Sequence, residues 1–406
     1  MPSTPPDGEP APRDGALPPS ALSGLGSRPF SVYVHVPFCA TRCGYCDFTT
    51  YTATELGGGA SQAAYAQTAV REVRLARQVL GAADVPVQTA FFGGGTPTLL
   101  PAGDLARILD AIRDEFGLAP DAEVTTEANP DSVDARGLAD LREAGFTRVS
   151  FGMQSAVPHV LAVLDRTHTP GRAEQAVAEA RTAGFDHVNL DLIYGTPGET
   201  ESDWGGSLRA VLDTGTDHVS AYALVVEPGT RLAAQVRRGE VPAPDDDVLA
   251  DRYLQAEEVL GSAGLGWYEV SNWATSADAQ CRHNLAYWRG DDWWGVGPGA
   301  HSHVGGVRWW NVRHPAPYAE RLAECASPAL SREVLGEEDR RVERVMLGIR
   351  LAAGHPLADL GDAGVAAAAR CVADGLLEPK AYEEGRGVLT VRGRLLADAV
   401  VRDLLA

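Results

Sequence analysis

The sequence predicts an α/β protein with a partial (βα)6 barrel and a small winged-helix-like domain at its C-terminal end. Six short apolar runs alternate with helix-like stretches, and after a long first crossover they recur at intervals of roughly 25 to 40 residues, about the length of a βα unit. Such alternation favours a parallel sheet or barrel. The runs end in Gly, Asn, Gln, Asp, Tyr and Thr. Because a βα barrel keeps its active site at the carboxyl ends of its strands, we expect the functional residues there.

The first predicted strand follows a segment of different composition. Residues 1–28 are rich in Pro, Gly, Ser and Ala without a periodic apolar pattern, which predicts a disordered tail. From Phe30, the run FSVYVHVPF alternates apolar residues with others and stops at Pro37, which predicts a strand. The five later runs are VQTAFFGGGTPT, AEVTTEANP, TRVSFGMQS, DHVNLDLIYGTP and DHVSAYALVVEPGT. Between them lie helix-like stretches such as DLARILDAIRDEF and AEQAVAEARTAG.

Charge and composition narrow the class of protein. The 406 residues are 45% apolar, enough to bury a large core. The balance of 35 basic and 55 acidic residues gives a net charge of -20, which disfavours nucleic acid as a partner. No run of eighteen apolar residues and no signal-peptide pattern is present, so the expected compartment is the cytosol. Thiols stay reduced there, which favours metal ligation or catalysis over disulfides.

Three cysteines lie close together in the segment HVPFCATRCGYCDF. Cys39, Cys43 and Cys46 have the spacing C-x3-C-x2-C, whereas the other three cysteines of the chain are scattered. A zinc site completed by His35 is one interpretation, but closed zinc sites usually take paired ligands from two knuckles, and no second C-x2-C occurs. A 4Fe-4S cluster held by three thiolates keeps one iron open for a small molecule. Thiols without a metal are the remaining alternative.

A glycine run lies at the end of the second predicted strand. In FFGGGTPT, residues 93–95 are all glycine, and missing side chains allow backbone groups to approach a ligand closely. A phosphate-binding loop is the competing interpretation. The run lacks the Lys-Ser/Thr ending of such a loop, so a phosphate site is disfavoured.

With these motifs, the chain resembles the radical SAM superfamily. The signature of that superfamily is C-x3-C-x2-C with an aromatic residue before the last cysteine, here Tyr45. The resemblance implies a radical SAM barrel of the TIM-like type, in which the open iron binds S-adenosylmethionine (SAM) and electron transfer cleaves it to methionine and a 5′-deoxyadenosyl radical. The SAM-binding residues that it implies are Tyr33, Tyr45, Gly94, Gly95, Thr96, Glu127, Gln154, Arg166, Asp191 and Ala223. For each of them taken singly, an ordinary hydrogen bond within the barrel is the alternative.

Further motifs resemble the coproporphyrinogen-dehydrogenase branch of the superfamily, and within it the HemW-type heme chaperones. The dehydrogenases carry a further cysteine two residues after the cluster motif, where this chain has Phe48. The chaperone branch has an aromatic residue there and an H-N-x-x-Y-W motif, which occurs here as HNLAYW. The resemblance therefore implies heme as the cargo.

Histidine and tyrosine are both suitable axial ligands for heme iron. The segment GVGPGAHSH, with His301 and His303, follows HNLAYW closely. The candidate heme ligands are His283, Tyr287 and His301. The alternative is structural, since these histidines and the tryptophans at 288, 293 and 294 could simply be core residues.

The chain divides into four predicted parts. They are the tail (1–28), the radical SAM barrel (29–265), a linking region with HNxxYW and GAHS (266–328) and the winged-helix-like domain (329–406). The last part should contain a helix, a two-strand wing and a final helix. It holds 11 basic and 13 acidic residues, and therefore lacks the basic face of a DNA-binding domain.

Three functions from different classes are compatible with these residues. The first is a heme chaperone that uses SAM as a bound ligand. The second is an oxygen-independent coproporphyrinogen III dehydrogenase, which Phe48 disfavours, and the third is a radical SAM RNA-modifying enzyme, which the charge disfavours. For the first, the expected partners are heme-accepting proteins and a reductant for the cluster, and a homodimer is possible.

Overall fold

The N-terminal segment lies against the far edge of the main sheet. The computed structural model describes residues 8–56, 61–166 and 169–406. Strand β1 (Glu9–Pro10) pairs antiparallel with a strand of residues 329–334, and helix α1 (Pro19–Leu22) follows it. The Arg332 guanidinium donates to the Glu9 carboxylate at 2.6 Å. The predicted disorder is therefore wrong for residues 8–28, because a sheet edge supplies their hydrogen bonds, while residues 1–7 lie outside the described residues.

Six parallel strands form the core of the fold, one for each predicted apolar run. They are β2 (Phe30–Val36), β3 (Val87–Gly94), β4 (Leu118–Ala128), β5 (Arg148–Gln154), β6 (His187–Tyr194) and β7 (His218–Ala223). Each pairs in parallel with the next. In β2, Val32 and Val34 are buried on the outer face, so Tyr33 and His35 lie on the inner face. The predicted (βα)6 architecture is confirmed.

Helices cover the outer face of these strands. They are α2 (Gln62–Leu80), α3 (Ala102–Phe116), α4 (Ala135–Ala144), α6 (Arg172–Ala183), α7 (Glu201–Asp213) and α9 (Asp246–Ser262). The short helices α5 (Pro158–Val163) and α8 (Arg231–Arg237) instead share a separate apolar cluster at the carboxyl ends of the strands. In α3, Leu105, Ile108 and Ile112 follow the helical period and are fully buried. Short 3-10 turns follow β3 and β4. Among the described helices, none combines the length and apolar character needed to cross a bilayer.

The predicted linking region continues the sheet on both sides of the barrel strands. Its elements are β8 (Gly266–Glu269), β9 (Asn272–Ala274), α10 (Arg282–Arg289), β10 (Asp292–Val296), β11 (His301–Val304), β12 (Val307–Asn311) and α11 (Pro315–Ala323), followed by β13 (Ala329–Val334). Strand β10 pairs in parallel with β2, and β11, β12 and β13 add antiparallel strands. In the described chain the sheet has thirteen strands. The predicted boundary at 329 is wrong, because β13 pairs with β12 and belongs to this sheet.

A small helical unit with its own apolar cluster follows the sheet. It comprises α12 (Glu337–Gly348), β14 (His355–Pro356), a 3-10 turn (Leu357–Asp359), α13 (Gly361–Ala373), α14 (Pro379–Glu383), β15 (Arg386–Gly387), α15 (Val391–Leu395) and α16 (Ala397–Leu405). Strand β15 pairs with β14, which lies before α13. The predicted local two-strand wing is reduced to one bridge between Leu377 and Leu389, because α14 occupies the segment between them. Arg394 and Glu257, 2.7 Å apart, connect the unit to α9.

Candidate functional site

The three clustered cysteines lie in one loop that directly follows β2. We call residues 37–51 the cysteine loop. Its two ends are joined by hydrogen bonds, since the Tyr51 N–H donates to the Pro37 carbonyl at 2.7 Å and the Cys39 N–H donates to the Tyr51 carbonyl at 3.1 Å. In its middle, the Gly44 N–H donates to Leu164 at 3.1 Å. The loop is thus fixed both to its own base and to the end of the α5 segment.

The thiols of this loop are half-buried. Burial raises the pKa of Cys39, and it raises the pKa of Cys46 to about 11. Neighbouring thiols add to both shifts, which places the cysteines close to one another. Protonated thiols are therefore favoured in the protein alone, and a bound metal would supply the positive charge that stabilises thiolates.

The donor set of the loop fits an iron-sulfur cluster better than a zinc ion. Both ring nitrogens of His35 are occupied: Nε2 donates to the Thr49 carbonyl at 2.8 Å, so Nδ1 accepts from the Tyr33 hydroxyl at 3.0 Å. Within residues 8–56, 61–166 and 169–406, no three His, Cys, Asp or Glu side chains converge on a single-ion position. In a four-iron cluster each thiolate binds a different iron, so three soft donors spread over one loop fit that group.

The glycines at the end of β3 are required by the packing of the protein itself. Gly94 has a φ of +106°, and a Cβ there would lie 2.6 Å from the His35 ring. The Gly95 N–H donates to the Val36 carbonyl at 2.8 Å, and the Thr96 N–H donates to the Phe38 carbonyl at 2.7 Å. The segment therefore buttresses the start of the cysteine loop. Packing against His35 is therefore one reason for glycine at position 94, and the predicted close approach to a ligand stays a prediction.

Two carboxylates approach each other at the carboxyl end of the barrel. Glu127, near the end of β4, accepts the Gly94 N–H at 3.1 Å. Asp191, in β6, accepts from the Ser150 hydroxyl and from the Asn189 amide, both at 2.8 Å. Burial raises the pKa of Glu127 to about 8, with a further contribution from Asp191, whose own pKa is also raised by burial. Such groups can accept hydrogen bonds from an ammonium or from hydroxyls of a ligand.

Arg166 supplies positive charge between these strands and the cysteine loop. Its Nη2 donates to the Gly152 carbonyl at 2.7 Å, and its Nη1 lies 3.6 Å from the Cys43 sulfur. Its buried Nε forms no hydrogen bond within the described chain. Gln154, at the end of β5, has a φ of 67° where the pairing with β6 is irregular. Both predicted residues therefore lie at this end of the barrel.

The other predicted SAM residues differ in their surroundings. Tyr45 packs against an apolar cluster that includes Leu164 and Leu224, and Ala223 ends β7 opposite Tyr194. Tyr222 was not predicted, although it follows His218 and Ser220 with the period of a strand and so shares the inner face of β7. Its side chain is 42% exposed, which makes it available to a ligand in the barrel.

The HNLAYW motif forms helix α10 and closes the opposite end of the barrel. His283 is 1% exposed, and its ring nitrogens bond to the hydroxyls of Thr89 at 2.6 Å and Tyr287 at 2.9 Å. The ring stacks on Phe91 with centroids 5.0 Å apart. Burial lowers the pKa of His283 to about 3, so the imidazole is neutral. The Glu123 carboxylate caps the helix by accepting the His283 N–H at 3.0 Å.

His301 has a more open environment on β11. Its ring stacks on Trp310 of β12 with centroids 5.8 Å apart, and it is half-buried. No hydrogen bond joins either ring nitrogen to the residues that the structure describes. Burial lowers the pKa of His301 to about 4, and the charge of Arg313 acts in the same direction. The nearby His303 is instead bound to the Asp291 carbonyl at 3.0 Å. Of the candidate heme ligands, His301 is thus the one with available nitrogens.

The barrel and its cysteine loop define the class of protein. Residues 33–211 match the Radical SAM superfamily, which implies SAM and a 4Fe-4S cluster as cofactors. The solved structure of coproporphyrinogen III oxidase (HemN) from Escherichia coli, a radical SAM enzyme, superposes with a TM-score of 0.79 and covers 95% of this chain and 92% of its own. At 23% identity this likeness shows the fold.

Two curated relatives share most of their length with this chain. The heme chaperone HemW of Mycobacterium tuberculosis is 56% identical over 385 residues, which are 95% of this chain and 97% of that protein. HemW of Synechocystis sp. is 36% identical over 83% of this chain and 82% of its own. The chain therefore belongs to the HemW family of radical SAM proteins, as its motifs predict.

Proposed function

We propose that the protein is a heme chaperone, which binds heme, transfers it to acceptor proteins and carries a SAM-binding 4Fe-4S cluster. The observation that carries this proposal is the 56% identity to a HemW heme chaperone over 97% of the length of that protein. Heme-accepting proteins are then its partners, together with a reductant for the cluster. A homodimer and a cytosolic location remain predictions.

Phe48 supports this function over that of a coproporphyrinogen III dehydrogenase. It stands where those enzymes keep a further cysteine, and its side chain is 61% exposed on the cysteine loop. A thiol at this position is thus replaced by an accessible apolar ring, which can contact an apolar macrocycle but cannot act as an acid or a nucleophile. The net charge of -20 disfavours an RNA substrate, because it repels the phosphate backbone.

Within the proposed site, the cofactors and the protein have separate roles. Cys39, Cys43 and Cys46 would hold the cluster, which supplies an electron to SAM. Arg166, 3.6 Å from the Cys43 sulfur, provides positive charge for the carboxylate of a ligand. The buried carboxylates of Glu127 and Asp191 accept hydrogen bonds from the ammonium and hydroxyl groups of that ligand. Together these residues orient a small zwitterionic ligand beside the loop.

For heme, we propose His301 as the protein ligand and no longer propose His283 or Tyr287. Ligation by His283 would break its hydrogen bonds to Thr89 and Tyr287 in a closed core. On the same face of the sheet lies Arg308, opposite His303 and diagonal to His301. Its guanidinium pairs with the carboxylates of Glu333 at 2.8 Å and Glu343 at 2.7 Å. A heme propionate would compete with these carboxylates for the guanidinium.

The function is tested by titrating the anaerobically reconstituted protein with hemin. Saturable uptake of about one heme per chain, followed by transfer to an apo-acceptor such as apomyoglobin, is the expected result. Conversion of coproporphyrinogen under reducing anaerobic conditions, together with a lack of saturable heme binding, would establish the dehydrogenase instead.

Asp191→Ala is expected to weaken SAM binding about tenfold, because the lost carboxylate accepts a charge-assisted hydrogen bond. Equilibrium dialysis of the reconstituted variant measures the affinity. Asp217→Ala is the matched control, since Asp217 lies at the opposite end of the barrel, where it binds His187 at 2.7 Å. Equal SAM affinity in the Asp191 variant and the wild type would exclude Asp191 from the site.

Gly94→Val is expected to lower both the SAM affinity and the iron content of the reconstituted protein. The added side chain would strain the backbone by about 1–3 kcal/mol and displace the His35 ring, which holds Thr49 of the cysteine loop. Gly81→Val is the control, because Gly81 also has a positive φ, 66°, but faces open space. Full iron content with lost SAM affinity would show that His35 is not displaced.

A further inference from the structure

A buried carboxylate joins helix α2 to the strands beyond the barrel. Glu72 is 0% exposed, and it accepts hydrogen bonds from the Gly297 N–H at 2.7 Å, the Asn311 amide at 2.7 Å and the Tyr318 hydroxyl at 2.6 Å. Burial raises the pKa of Glu72 to about 7, although these donors oppose the shift. Burying a carboxylate is costly unless it is hydrogen-bonded, and all three donors come from the segment of residues 297–318.

The donors fix one short turn, residues 297–300, between β10 and β11. At Gly297 both backbone groups are held, because the Asn311 amide also donates to its carbonyl at 2.9 Å. Gly297 has a φ of +114°, and the Gly299 N–H donates to the Val312 carbonyl at 2.9 Å. The turn therefore has little freedom while Glu72 is in place.

This turn packs directly behind the cysteine loop. A Cβ at Gly299 would lie 2.8 Å from the Thr49 side chain, and one at Gly297 would overlap the His35 carbonyl. The same carbonyl accepts the hydroxyl of Tyr65, which lies two turns before Glu72 on α2, at 2.6 Å. Thr49 is held from the other side by the His35 ring. The C-terminal part of the cysteine loop, around Thr49, is thus packed between the turn and β2.

We propose that Glu72 is a positioning residue for the cysteine loop and acts through the turn of residues 297–300. The inference rests on the proposed cluster site, since the effect is on the geometry of its ligands. Glu72 itself contacts no cysteine, and its hydrogen bonds hold the turn that supports Thr49. Because His301 directly follows the turn, the same carboxylate also orients the start of β11.

Tyr318→Phe and Glu72→Gln test this role in the full-length protein. The first removes one donor to Glu72 and the second removes the charge while keeping the size of the side chain. We expect iron loss to a chelator about tenfold faster than in the wild type, and an altered electron paramagnetic resonance (EPR) signal of the reduced cluster on addition of SAM. Tyr253→Phe is the matched control, because Tyr253 is also buried and its hydroxyl accepts a hydrogen bond from Arg394 at 3.0 Å in another part of the fold.

The outcomes separate positioning from simple stabilisation. A lower melting temperature with wild-type iron loss and EPR signals in both variants would overturn the proposal and leave the cluster site intact. Equal effects of Tyr253→Phe and Tyr318→Phe on the EPR signal would overturn it as well. A wild-type protein that takes up no cluster would overturn both this proposal and the proposed function. If Glu72→Gln does not fold, Tyr318→Phe alone decides.

Discussion

Each of the substitutions Cys39→Ser, Cys43→Ser and Cys46→Ser is expected to abolish the 4Fe-4S absorption and EPR signal of the anaerobically reconstituted protein. Each thiolate would bind a different iron, so the loss of one cannot be compensated by the other two, and a hydroxyl is a poor ligand for a soft metal centre. Iron and sulfide analysis of the purified variants measures the effect directly.

The three remaining cysteines provide the control. Cys281 is buried with its sulfur 3.7 Å from a Glu123 oxygen, Cys371 lies in the apolar cluster of the C-terminal unit, and Cys325 is exposed. Their serine variants should keep the full cluster signal. If any of these three were necessary for reconstitution, the assignment of Cys39, Cys43 and Cys46 as the ligands would be wrong.

His301→Ala is expected to shift the heme absorption bands and to lower the heme affinity, while the 4Fe-4S spectrum stays intact. An imidazole ligand controls the spin state of the iron, so its loss changes the visible spectrum. Titration with hemin, followed by absorption spectroscopy, gives both quantities. His303→Ala is the neighbouring control, since one nitrogen of His303 is already bound to a backbone carbonyl.

His283→Ala should give the opposite pattern. It leaves the Tyr287 hydroxyl unpaired and opens a cavity in a closed core, which costs about 3 kcal/mol of stability, whereas Thr89 keeps its hydrogen bond to Ser31. Thermal unfolding measures this loss, and the heme spectrum of the variant should equal that of the wild type. A changed heme spectrum in His283→Ala with an unchanged one in His301→Ala would reverse the assignment.

The barrel strands were predictable because each carries its own local pattern. In β2, the alternation around Val34 records one face against the helices and one in the barrel. Strands β10 to β13 were not predicted. The β2 partner of β10 is remote in sequence, but β11 and β12 form a local hairpin across Gly305 and Gly306, whose turn signal was missed. Residues 8–28 are ordered through partners that lie far along the chain: Glu9 pairs with Arg332, the Arg13 carbonyl accepts the Ser327 N–H, and Arg28 binds Asp292.

For the site, spacing predicted which residues are important but not which atoms they touch. The C-x3-C-x2-C spacing identifies the cysteine loop from sequence alone. The roles of Gly94 and His283 depend on contacts with His35 and Thr89, which neighbouring strands supply only in the folded protein. Glu72 had no sequence signal, because a glutamate within a helix is ordinarily a solvated residue.

During synthesis, β2 emerges from the ribosome long before β10, its neighbour on one side in the finished sheet. One edge of the nascent barrel therefore stays unpaired until residue 296 has been made, and the turn that supports Thr49 comes later still. Non-local pairing of this kind slows folding and exposes strand edges to chaperones and aggregation. We expect iron to be inserted after translation, so nascent chains arrested before residue 290 should not retain a cluster when isolated anaerobically.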